Sequence, residues 1–270
     1  MTKKILVDTS ALRPALGQST KRHEEQFRNA TADGHLWTSV YIRMEFIRRW
    51  VCDFIRLALE VDQFDSVDEA LVYLEQDFSS RAVKGTVAVV ATLLRENGAI
   101  QNRGTATEEI GRMAVGLLRH FDHVFKARIR NKCECQIGGR ELKVDFDNLL
   151  EDLRDFYEQF RTPVLDCEVN SFLQFRKLHG RTRKLTTPDT IKESAVKELN
   201  KFDAQGTWIT CSECRKIGDA VIALEQQNSW VLAHLDNAFN ALCDALGKQH
   251  IQIPSVRAVE NEARNTPTGQ

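Results

Sequence analysis

The chain has no apolar run near the roughly 18 residues of a membrane span. Its N-terminus enters the strand-like Lys3 to Val7 almost at once. No signal-peptide apolar region or small-residue cleavage site precedes it. Internal repeats are absent too. Neither sign of charge dominates: 37 Lys and Arg against 38 Asp and Glu leave a net charge of −1. Bulk charge therefore argues neither for nor against a nucleic-acid partner. These absences predict a soluble, cytoplasmic chain. In that compartment its 7 cysteines are expected to be free or metal-bound rather than disulfide-paired. What is present, 270 residues at 42% hydrophobic, suffices for one large domain or two small ones.

The two ends read as α/β and the middle as helical. Lys3 to Val7 and Leu36 to Tyr41 are predicted strands, the second followed by a helix through Glu45, Phe46, Trp50 and Phe54. Toward the C-terminus, strands are expected at Trp208 to Thr210, Trp230 to Leu235 and His250 to Ile253. Helices are expected from Asp219 to about Gln227 and from Asn237 to Leu246, with Gly247 as C-cap. Strands alternating with short helices favour a mainly parallel sheet. Between 59 and 202 the pattern is helical. Thr105 to Glu108 reads as a capping box before a stripe from Ile110 to Phe125. Phe146 to Phe160 carries another stripe. Both stripes are expected packing faces. Residues 257–270 are polar and read as a frayed tail.

Four acids stand at strand–helix junctions. Asp8 ends Ile5-Leu6-Val7 and is followed by Thr9-Ser10. Glu45 follows the second strand, Asp219 opens Ala220 to Leu224, and Asp236 ends Trp230 to Leu235. Asp8, Asp219 and Asp236 each have a plain alternative role as helix caps, and Glu45 as a solvated charge. Gathered at the carboxyl ends of a parallel sheet, where ligands bind, the four form a carboxylate nest. Such a nest repels itself unless it holds a divalent cation.

In this order and spacing the chain resembles the PIN-domain nucleases. The motifs are Val7-Asp8-Thr9-Ser10, Arg43-Met44-Glu45-Phe46, Gly218-Asp219-Ala220-Val221-Ile222-Ala223, and Asp236 with Phe239 three residues on. His250 to Pro254 supplies a closing strand. The resemblance covers residues 1–58 and 203–256. It implies a PIN-like, mainly parallel sheet flanked by helices, split by a mainly helical insertion over 59–202. It also implies Mg²⁺ or Mn²⁺ on Asp8, Glu45, Asp219 and Asp236, and hydrolysis of RNA to 5′-phosphate and 3′-hydroxyl ends. Thr9 and Ser10 would orient a phosphate or water. His234 stands where many members carry Thr. The long interval between Glu45 and Asp219 leaves Asp189, Asp203 and Glu213 as rivals for the third acid. A structure-specific DNA nuclease and a catalytically silent RNA- or protein-binding module remain the alternatives. The length exceeds the small toxin type, while a stress or phage-defence role, with a regulatory protein partner or a second copy, stays open.

Cys133-Glu134-Cys135 and Cys211-Ser212-Glu213-Cys214 are two close pairs, with Cys167 between them as an alternative ligand. CxC with CxxC suits a structural four-thiolate zinc site, and Gly138-Gly139 permits a tight turn after the first pair. Cys52 and Cys243 are expected to be small core residues. Charge is unevenly spread. Arg119 to Lys143 holds seven basic residues against three acids, and Arg176 to Lys201 eight against three. Asp145 to Glu168 holds eight acids against two Arg. Arg181, Arg183 and Lys184, with Arg13, Lys21 and Arg22 near Asp8, are the candidate phosphate contacts; a solvated helix face is the alternative.

Overall fold

The computed structural model describes residues 2–77, 81–133, 135–161 and 217–265, together with Val169, Phe172, Leu173 and Leu185. The expected strand Trp208 to Thr210 lies outside them. So do Cys167, Arg181, Arg183, Lys184, Asp189, Asp203, Cys211, Glu213 and Cys214.

The fold is α/β, with a five-stranded, all-parallel sheet flanked by helices. Its strands are β1 (Lys3–Val7), β2 (Gly34–Ser39), β3 (Ile129–Arg130), β4 (Trp230–His234) and β5 (Gln249–Gln252), in the order β3-β2-β1-β4-β5. Ile5, Leu6 and Val7 are buried on both faces of β1, as a central parallel strand requires. Val7 pairs with Ala233, and Leu6 with Trp37 and Leu232, so β1 and β4 end side by side.

The helices with described bounds are α1 (Leu12–Ala15), α2 (Lys21–Thr31), α3 (Val40–Phe46), α4 (Cys52–Val61), α5 (Val67–Asp77), α6 (Arg81–Glu96), α7 (Arg103–Phe125), α8 (Leu149–Arg161), α9 (Gly218–Glu225), α10 (Ala238–Leu246) and α11 (Val256–Asn265). A π-helical stretch, Ile47–Val51, joins α3 to α4. Gly247 ends α10 in the left-handed region at φ +63, where glycine carries no Cβ penalty.

The chain divides into two compact units. One comprises Met1–Met44, Val124–Gly139 and Val164–Gln270, and holds the sheet; the other comprises Glu45–His123 and Arg140–Pro163. The partition differs from the sequence boundaries. Residues 45–58 fall in the helical unit, and 124–139, read as insertion, contribute β3 to the sheet. The helical unit has its own core, including Leu57, Val61, Leu74, Val90, Leu94 and Ile110. Leu149, Leu153, Phe156 and Phe160 of α8 are buried, as their stripe predicts.

Three local expectations are corrected. β2 stops at Ser39 because Val40 already begins α3, so Glu45 falls in the last turn of that helix. The α7 start precedes Thr105: Asn102 Oδ1 accepts the Thr105 N–H at 3.0 Å and does the capping. Finally, residues 256–265 are α11 rather than a frayed tail, with Val259 buried and Ser255 Oγ accepting the Ala258 N–H at 3.3 Å.

Candidate functional site

The carboxyl edge of β1 and β4 brings two of the expected acids to neighbouring strand ends. The Asp8 N–H donates to the Ala233 carbonyl at 2.9 Å, extending the β1–β4 pairing by one residue. The Asp8 side chain turns back on the chain. Its Oδ2 accepts the Ser10 N–H at 2.9 Å and the Ser10 hydroxyl at 2.5 Å. Ser10 Oγ in turn accepts the Leu235 N–H at 2.9 Å. One hydroxyl thus clips the Asp8 turn to the loop that carries Asp236. Asp8 is buried, at 3% exposure, and so is Thr9.

Asp236 is exposed, and its Oδ1 accepts the Ala238 N–H at 3.0 Å, capping the first turn of α10. Asp219 is half-buried in the first turn of α9, a helix that packs against α10. Cys243 of α10 is fully buried. Its thiol is pushed up to about 12, chiefly by burial, with Asp8 among the smaller influences, so α10 lies within electrostatic reach of that carboxylate. Cys52 is buried as well, and both are core residues as expected. Glu45 opens the helical unit, within α3. Among the described residues, no group of three His, Cys, Asp or Glu side chains is placed to share one metal ion. The donor chemistry of Asp8, Asp219 and Asp236 suits a hard divalent cation, and Asp8 and Asp236 follow the ends of adjacent strands.

His234 is fully buried at the end of β4. Its Nε2 lies 3.2 Å from His250 Nδ1 on β5, and its ring packs on Phe239. Burial, with His250 next in importance, pushes its pKa down to about 4, so this imidazole is neutral at neutral pH.

Glu225 was not anticipated. It is fully buried at the end of α9, and its Oε1 accepts the Lys132 N–H at 3.2 Å and the Cys133 N–H at 3.4 Å. Burial raises its pKa, and the Ser39 hydroxyl and these two amides oppose the rise. The available signal was a carboxylate closing an otherwise apolar run, Ala220 to Leu224. Lys248 is a second buried charge that sequence reading passed over. Its Nζ donates to the Ala223 carbonyl at 2.6 Å and to that of Gln226, binding the open end of α9.

Cys133 and Cys135 are both buried. The Cys133 thiol is raised well above its ordinary range, first by burial and then by Glu225 and Cys135. The turn after them closes on α3. Arg43 NH1 donates to the Gly138 carbonyl at 2.6 Å, and a Cβ on Gly138 would lie 1.9 Å from the Val40 carbonyl oxygen. Arg13, Lys21 and Arg22 are exposed, and Arg13 Nε donates to the Gln18 carbonyl at 3.3 Å.

No family model, curated protein or solved structure matches this chain. No described helix is long and apolar enough to cross a membrane.

Proposed function

We propose that the chain is a divalent-cation-dependent nuclease acting on RNA at the β1–β4 strand ends. The observation that carries this reading is that Asp8 and Asp236 follow the ends of the adjacent parallel strands β1 and β4, with Ser10 bonding both the Asp8 carboxylate and the Leu235 amide beside Asp236. Asp219, in the first turn of α9, and Glu45 enter through the sequence pattern alone. Mg²⁺ or Mn²⁺ held by these acids would neutralise charge on a phosphodiester and acidify an attacking water. The protein's own part is orientation: Ser10 fixes the Asp8 carboxylate, and the α10 cap fixes Asp236. Exposed Arg13, Lys21 and Arg22 supply sequence-independent attraction for the RNA backbone. Zinc on Cys133 and Cys135, completed by Cys211 and Cys214 or by Cys167, belongs to the same proposal as a structural element. Burial and Glu225 favour the neutral Cys133 thiol, so zinc would have to supply the positive charge that stabilises it as a thiolate.

A second reading is favoured by the capping duties of Asp8 and Asp236 and by the lack of a three-ligand group among the described residues. In that reading the domain binds RNA or a protein without cutting. Purified protein incubated with labelled RNA and Mn²⁺ separates the two. The nuclease reading expects cleavage that Asp8→Asn reduces by at least about 100-fold, equivalent to about 2.7 kcal/mol of barrier, with an unchanged melting curve. Metal-independent cutting, or none on RNA or DNA, would sink it.

A further inference from the structure

We propose that a cleft within the helical unit, far in sequence from the strand-end acids, binds a linear polyamine. The cleft has a volume of about 280 Å³, near the lower end of ligand pockets, which span about 300–1,000 Å³. Its wall carries the carboxylates of Asp62, Glu108, Asp147 and Glu151, and no basic side chain lines it. Glu108 is paired with Arg112 at 2.5 Å. The carboxylates of Asp62, Asp147 and Glu151 have no ion-pair or hydrogen-bond partner among the described residues.

Helix ends account for only part of this charge. Glu151 lies in the first turn of α8, whose N-terminus is worth about +0.5 charge, whereas Glu108 lies beyond the first turn of α7. Asp62 follows the last residue of α4, at that helix's negative end, where a carboxylate is disfavoured. With Arg112 and Arg119 both counted against the four acids, the cleft keeps a net charge of about −2.

Two independent features point to a ligand. Thr107, only 1% exposed, lines the cleft, and its Oγ1 has no hydrogen-bond partner. Phe146, 44% exposed, presents a ring that already attracts cations: the guanidinium carbons of Arg112 and Arg119 stand 5.6 and 5.7 Å from its centre. The acids do not form a group able to hold one metal ion. Carboxylates spread along a wall, with Phe146 and Leu149 between them, match an extended chain of ammonium groups separated by methylenes rather than a point charge.

Calorimetric titration of the full chain with spermidine tests this. Saturable one-to-one binding is expected. Asp147→Asn with Glu151→Gln should weaken it by about tenfold, and the near-isosteric Thr107→Val by about threefold. Glu96→Gln, an exposed acid elsewhere in the same unit, should leave it unchanged. Matching melting curves for all variants would keep a folding defect from imitating a binding one. Absence of saturable binding, equal loss in Glu96→Gln, or equal displacement by Mg²⁺ and K⁺ at matched ionic strength would overturn the proposal.

Discussion

Ser10 Oγ sits between two strand ends, donating to Asp8 Oδ2 and accepting from the Leu235 amide. Replacing it with alanine leaves that amide without its acceptor and releases one restraint on Asp8. A net cost of about 1–3 kcal/mol follows from the unpaired group. Urea denaturation of Ser10→Ala should show a lower midpoint with an unchanged slope. An unmoved midpoint would mean that water replaces the clip without cost. Asp53 offers a residue-scale test in the helical unit. Burial raises its pKa from 3.8 to about 6, against a smaller opposing influence from Arg56. The folded state therefore prefers the neutral carboxyl. The stability associated with Asp53 is fully present below pH 3.8 and is lost as pH rises through about 6. Asp53→Asn should be more stable than the parent at pH 7.5 by about 1–2 kcal/mol, a figure reduced for partial solvent contact. The gap should close below pH 4, where the parent carboxyl is also neutral. Paired melting curves across that range read the difference directly, and a constant gap would contradict the assignment.

Elements with strong apolar runs were legible from the chain alone. β1 and β4 match because consecutive buried residues leave little freedom in where a central parallel strand begins and ends. β3 was missed because two residues carry no periodicity. α11 was missed because its composition is that of a tail, although Val259 in it is buried. The turn after β3 was anticipated from Gly138-Gly139, but the reason for glycine there is spatial. The Val40 carbonyl oxygen occupies the place a Cβ would take, and Arg43 clamps the same peptide. Gly138→Ala must push the turn off the α3 backbone, which cannot yield as a flexible side chain does. A cost of about 1–3 kcal/mol is expected, comparable to overpacking a core. Thermal melting should report it, and an unshifted transition would show that the turn relocates freely.

At the scale of the whole molecule, the sequence makes the strand-end acids visible but not the groups that support them. Asp8 and Asp236 each follow an apolar strand, a local pattern. Glu225 is held by the amides of Lys132 and Cys133, about 90 residues away in the chain, and nothing near it in sequence announces that contact. Lys248 likewise meets its carbonyl partners only through the packing of α9 beside β5. Net charge is equally uninformative until it is located: a total of −1 conceals exposed Arg13, Lys21 and Arg22 in the unit that also holds Asp8. If these side chains neutralise RNA phosphates, each releases counterions on binding. The slope of log affinity against log salt then changes by about 0.7 for each contact removed from a single strand. Lys21→Ala with Arg22→Ala should therefore flatten that slope by about 1.4 between about 50 and 200 mM KCl, measured by fluorescence anisotropy with Asp8→Asn protein to prevent cleavage. Affinity should fall by similar factors on unrelated RNA sequences, because phosphate contacts position the strand without reading its bases. A slope equal to that of the parent would remove α2 from the RNA path. The remaining attraction would then have to come from basic residues elsewhere in the chain.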